Sequence, residues 1–276
     1  QLACADDDIL NVTSAGSITY NDHKAVDLED ISGVQITNDG TIQTEDGTNK
    51  QKAIHAASSL NTTITNNGTI NSDNNEGIIL DYAENVIITN NAGATISAEG
   101  NNAISGRNVG NCHFNGANCH SDLSGQSNGV GLTLHNYGTI TSAHETIWLG
   151  SGSSGNHRSK GLKIYNYDGG IIKTTGEGDS PIKAFHVVDF EFVNYKGGTI
   201  EGADRHAVNT EQSEDINFTN HGTITAVDKS AFYCKTCPNT TFINTGTMSG
   251  GNNAVVISHG DNTVSYTHLT AADEED

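Results

Sequence analysis

The sequence predicts an all-β fold: a right-handed, single-stranded parallel β-helix of about nine rungs, with three short strands per rung. Three observations predict it. One phrase recurs along the chain, apolar and polar residues alternate around it, and no run of ten or more residues has helical periodicity. The phrase is hydrophobic–x–Asn–x–Gly–Thr–Ile, as in "QITNDGTIQT", "TITNNGTINS", "TLHNYGTITS" and "NFTNHGTITA". Its asparagines are Asn38, Asn66, Asn90, Asn136, Asn166, Asn194, Asn220 and Asn244, spaced by 28, 24, 46, 30, 28, 26 and 24 residues. "NVTSAGSIT" reads as an earlier degenerate copy, with Ser14 in the asparagine's place. The long interval carries an insertion over about 107–131, containing Cys112 and Cys119.

The elements of a rung follow in order. Before the turn, Ile36 and Phe242 stand two residues ahead of their asparagines in alternating runs, the pattern of a half-buried strand. Asn-x-Gly is turn chemistry, because both residues tolerate positive φ and the Asn side chain bonds nearby backbone. Thr-Ile then opens a second strand with β-branched residues. A third short strand lies between phrases: "GIILD" (77–81), "ETIWLG" (145–150), "SPIKAF" (180–185), "HAVNT" (206–210) and "NAVVIS" (253–258).

One such unit has no core of its own. Stacking units about 4.8 Å apart pairs each backbone with its neighbours and aligns like residues, so nine rungs span roughly 40 Å. Aligned asparagines are then placed to hydrogen-bond along the axis at the turn. A β-sandwich, the competing all-β fold, has no need of one turn phrase repeated in register. The right-handed sense follows from the rule for parallel crossovers.

The formal charge is −20, from 13 Lys and Arg against 33 Asp and Glu. Phosphate binding needs clustered cations, so nucleic acid is excluded as a partner class. No stretch reaches the roughly 18 apolar residues of a membrane helix. At the N-terminus, Ala3 and Ala5 flank Cys4 ahead of "DDD", a small-x-small pattern that marks residues 1–5 as a signal-peptide remnant. The last segment, "VSYTHLTAADEED" over 264–276, does not continue the repeat and is similar to a translated sequencing adapter. It is read as a non-native tail, leaving 6–263 as the β-helix domain.

With these residues in view, the chain resembles the passenger domains of bacterial autotransporters, the type V secretion proteins. The resemblance rests on "ITNNGTINS", "HNYGTITS" and "TNHGTITA", interleaved with strands such as "NAVVIS", and covers about residues 12 to 260. It implies a pectin-lyase-like right-handed β-helix, exported through a C-terminal outer-membrane β-barrel of the same polypeptide. It implies location on the bacterial outer membrane and cell surface, or secretion, with adhesion or surface display as the work. The partner implied is a glycan or protein on a host or neighbouring cell. No barrel sequence is present in the chain.

The candidate chemistry is sparse. Cys112 with Cys119, and Cys234 with Cys237 in "YCKTCP", read as two local disulfides of an exported protein. A zinc site would need both pairs to converge across four repeats. The 12 histidines do not share a repeat offset: His55 follows Asn38 by 17, His186 follows Asn166 by 20 and His206 follows Asn194 by 12. They read as scattered, and no metal or cofactor is expected. The calcium-binding Gly-Gly-x-Gly-x-Asp repeat is absent.

Glycoside cleavage needs two carboxylates in one groove. Asp189 with Glu191, or Asp204 beside Arg205 and His206, are the candidates for a polysaccharide lyase or glycosidase, the alternative to a non-catalytic chain. A plain spacer is the third reading. Tyr137, Tyr167 and Tyr195 follow their asparagines at three successive rungs, which predicts an exposed ladder and a candidate ligand strip.

Overall fold

The computed structural model describes residues 1–45, 51–110, 130–151, 158–176 and 178–258, with the backbone of 264–267. The chain visits three parallel sheets in turn, so every strand pairs with the strand three places on. The first sheet has ten strands, from Leu2–Ala3 and Lys24–Asp27 to Ser230–Lys235 and Asn253–Ser258. The second has ten, from Ile9–Val12 to Val264–Thr267, and the third nine, from Ser17–Tyr20 to Thr247–Gly250. No helix occurs among the described residues. The result is a parallel β-solenoid of about nine turns with three strands per rung.

Alternation supplies the core. In the second sheet Ile36, Ile64, Ile88, Leu134, Ile164, Phe192, Phe218 and Phe242 point inward at successive rungs, all fully buried. The third sheet contributes Ile42, Ile70, Ile96, Ile140, Ile172, Ile200 and Ile224 in the same way. Identical residues therefore stack on themselves. The phenylalanines use this fully, with Phe192 and Phe218 centroids 4.9 Å apart and Phe218 and Phe242 5.1 Å apart, near parallel.

The corner after each asparagine comes in two lengths. Two residues separate Asn66 from the next strand at Thr69, whereas four separate Asn166 from Ile171. The glycine of the short form is not there for positive φ, as the turn chemistry suggests. A Cβ on Gly68 would lie 2.1 Å from the carbonyl oxygen of Gly40 one rung below. Close stacking of backbones excludes any side chain. Positive φ appears instead in the four-residue corners, at Gly93, Gly169 and Gly197.

The corner between the first and second sheets bends by another device. It carries two left-handed residues three apart in rung after rung: Ser58 and Asn61, Tyr82 and Asn85, His186 and Asp189, Gln212 and Asp215, Thr236 and Asn239. Asn and Asp tolerate that conformation best of the non-glycine residues. Asn85 Nδ2 donates to Asn61 Oδ1 at 2.6 Å, and Asn239 Nδ2 to Asp215 Oδ1 at 3.0 Å.

One detail differs from the sequence reading, and two strand pairings lie at the ends of the chain. Opposite Asn38 stands Val12, not Ser14, because the first corner has four residues while Ser17 keeps its register with Thr41. Leu2–Ala3, inside the segment read as a leader remnant, pairs with Val26–Asp27. The backbone of Val264–Thr267, read as outside the repeat, pairs in parallel with Thr241–Asn244 and extends the second sheet.

Candidate functional site

The eight phrase asparagines form one hydrogen-bonded row. Asn38 Nδ2 donates to Asn66 Oδ1 at 2.8 Å, Asn66 to Asn90 and Asn90 to Asn136 at 2.9 Å, and Asn136 to Asn166 at 2.8 Å. The row continues through Asn194 and Asn220 to Asn244, each link 2.8 Å. Each donor NH2 has two hydrogens, and the second goes to backbone carbonyls, as from Asn166 to Gly170 O and Thr199 O. Every link points the same way, so the amides polarise one another. At the N-terminal end Asn38 Oδ1 receives no donor from the described residues, because Val12 stands where the next asparagine would be.

The tyrosines lie on the outside of the same corner. Tyr137 and Tyr167 stack with centroids 4.2 Å apart, and Tyr167 and Tyr195 4.8 Å apart, each pair at 6°. The faces of the middle ring are taken by its neighbours. The cluster is wider than the phrase predicts. Tyr165 and His135 are register partners on the outer face of the second sheet, with rings 5.3 Å apart. His135 Nδ1 hydrogen-bonds the Tyr167 hydroxyl at 3.0 Å. Burial and the hydrogen-bonded Glu191 carboxylate push the Tyr165 phenol up to about 12, and burial with the Tyr137 hydroxyl does the same at Tyr167. Both phenols are therefore neutral donors at any ordinary pH. Burial holds His135 below the usual imidazole value.

A different kind of site lies on the outer face of the first sheet. There Trp148, Lys183, Asn209 and Tyr233 are register partners on four consecutive rungs. The last three border a polar cleft of about 400 Å³, lined also by Glu145, Asp179, Arg205, His206 and Glu211. Lys183 Nζ lies 2.7 Å from Glu145 Oε1, and His144 Nδ1 lies 3.0 Å from Asp179 Oδ2. Asn209 is only 8% exposed; its Nδ2 donates to Glu211 Oε1 at 3.2 Å, and its Oδ1 meets no donor among the described residues. The rings of His206 and Tyr233 stack at 4.2 Å. Burial, helped by Lys229, holds His206 below its ordinary value against the pull of Glu211.

The carboxylate pairs of the sequence fare differently. Asp189 has φ +57° and no register partner in its strand, so it does not share a strand face with Glu191 as the alternation predicts. The left-handed corner takes Asp189 out of the pleat. Asp204 accepts from the Gly178 amide, while its neighbours Arg205 and His206 reach the cleft. Sequence reasoning found these two residues and missed the rest. Aligning "PIKAF", "AVNTE" and "AFYCK" on their inward residues would have put Lys183, Asn209 and Tyr233 in one outward row.

Cys234 and Cys237 are bonded, with Cα atoms 6.0 Å apart and both side chains fully buried. Thr210 and Ser213 fill the equivalent inner positions one rung earlier, so the disulfide ties covalently a corner that Ser213 there holds by hydrogen bonds. Cys112 and Cys119 lie outside the described residues, as does most of the 107–131 insertion.

One group of metal-ligand type occurs among the described residues: Asp27, Glu29 and His55. A cation of the chain already sits there, with Lys24 Nζ 3.2 Å from Asp27 and 2.8 Å from Glu29. His55 Nδ1 lies 3.1 Å from Asp27 Oδ1 one rung below.

The fold places the chain among the parallel β-solenoids, with outward side chains in fixed rows. No family model, curated protein or solved structure matches it.

Proposed function

We propose that this chain is an exported surface-display stem of the autotransporter-passenger kind, binding a glycan or protein on a host or neighbouring cell without catalysing a reaction. The observation that carries the reading is rigid display. Three continuous sheets and seven amide links hold outward side chains at fixed intervals along the rod. A net charge of −20 keeps such rods apart and soluble. The Tyr137, Tyr167 and Tyr195 strip is the proposed contact surface, met chiefly at phenol edges and hydroxyls because both faces of Tyr167 and one face of each end ring are stacked. A β-barrel translocator following the chain in the same polypeptide belongs to this reading.

The test is attachment of bacteria that display the chain on a surface anchor. Adhesion is expected to exceed that of the bare anchor and to drop when all three tyrosines become serine. Adhesion no better than the anchor's would mean a spacer. Turnover of polygalacturonate by the purified chain would overturn the non-catalytic part.

A further inference from the structure

We propose that the cleft on the first sheet binds a neutral oligosaccharide lying along the solenoid axis. This deepens the binding reading above by naming a ligand class, and it puts the site on a face other than the tyrosine strip. Four consecutive rungs contribute: Glu145 from one, Lys183 from the next, Asn209 and Glu211 from the third and Tyr233 from the fourth. At rungs about 4.8 Å apart they span roughly 14 Å, longer than a single sugar ring. The volume of about 400 Å³ lies within the range of small-molecule sites.

The lining chemistry selects among ligands. An anionic polymer would face Glu145, Asp179 and Glu211 on a chain already at −20. A polyamine would face Lys183 and Arg205. An extended peptide adds to a free sheet edge, but the strands Ile182–Phe185 and Val208–Glu211 are paired on both sides. A hydroxyl group both donates and accepts. A neutral polyol can therefore donate to the carboxylates and accept from the ammonium and guanidinium without carrying net charge into the cleft. Asn209 fits this mixture, since its amide is tied to Glu211 on one side and lacks a protein donor on the other. The stacked His206 and Tyr233 rings supply the aromatic part of the wall.

Trp148, the only tryptophan, stands in register beside Lys183 and serves as the built-in reporter. Purified chain is titrated with cellotetraose, chitotetraose and mannotetraose, with spermine and tetragalacturonate as charged comparisons. At least one neutral tetrasaccharide is expected to change Trp148 emission saturably. Arg205→Ala and Glu211→Gln should weaken that binding by about tenfold or more, while Ile9→Ala, at an exposed position in the first rungs and outside both surfaces, leaves it unchanged. Arg205 is exposed, so its variant tests binding with the thermal melt unaltered. Silence with all three neutral sugars overturns the proposal, as does tighter binding of spermine or tetragalacturonate, or wild-type affinity in both cleft variants. Sugar binding without cell attachment would instead sink the adhesin reading and leave the cleft standing. Attachment without any sugar response would do the reverse.

Discussion

Asn166 and Asn209 are both shielded from solvent, yet the corner that holds the first and the face that holds the second are built in opposite ways. Asn166 accepts from Asn136 and donates to Asn194 and to backbone carbonyls, so both of its polar atoms are satisfied. Asn209 has one side-chain partner, Glu211, and an oxygen without a donor. Its register neighbours are a lysine and a tyrosine rather than more asparagines. In a stacked solenoid, repetition at a position lets a side chain satisfy its own copy above and below. Variation at a position leaves groups whose partners must come from elsewhere. The first arrangement makes structure and the second makes a candidate site.

Breaking the row of asparagines should have the largest effect. Asn166→Ala removes one acceptor and one donor from a buried chain, leaving Asn194 Oδ1 and one Asn136 hydrogen short of partners. A loss of about 3 kcal/mol is expected in urea unfolding. A loss under about 0.5 kcal/mol would show that the links carry no net stability.

The tyrosine stack tests the same idea on a half-exposed surface. Tyr167→Ala loses two ring partners and the His135 hydrogen bond, and should cost about 2 kcal/mol. Tyr195→Ala, at the end of the stack, has one partner to lose and should cost about half as much. Equal costs at the middle and the end would argue against stacking as the source.

Charge pairing across rungs gives a pH-dependent comparison. Burial disfavours the Asp27 carboxylate, but hydrogen bonds from His55 and Lys24 outweigh it and hold its pKa below the usual range. Burial also lowers His55, outweighing Asp27. Both folded values are depressed, so both contributions are intact at neutral pH. That of His55 fades as pH falls below about 6.5, and that of Asp27 as it falls below about 4. Unfolding midpoints measured from pH 7 to 3 should fall across both windows. His135 and His206 are depressed as well and share the upper window, so His55→Gln should make it shallower without removing it, and an unchanged upper slope would refute the assignment.

The smallest stability effect belongs to the cleft. Asn209→Ala removes a group that is only partly satisfied and should change stability by less than about 1 kcal/mol. A loss matching that of Asn166→Ala would erase the distinction between the two regions.

Much of the fold was legible because its signals are local and repeated. Ile64 two before Asn66, Gly68 two after and Ile70 beyond it read as strand, turn and strand without knowledge of any contact. The first copy misled because Gly16 keeps its register while two extra corner residues move the asparagine position to Val12. Asp189 and Glu191 misled because alternation fails wherever a left-handed residue interrupts the pleat. The cleft was nearly invisible, since Glu145, Lys183, Arg205 and Tyr233 share no motif and are brought together only by stacking.

The sequence by itself determined the solenoid, the three-strand rung and the row of asparagines, because a period that repeats in the chain must repeat in space. Only the tertiary structure decided which variants meet. It brought His135 to Tyr167, buried the Cys234–Cys237 bond inside a corner and assembled one polar cleft from four rungs. The physical reason is register. Residues 24 to 46 positions apart become neighbours along the axis, and corners of unequal length set which of them align.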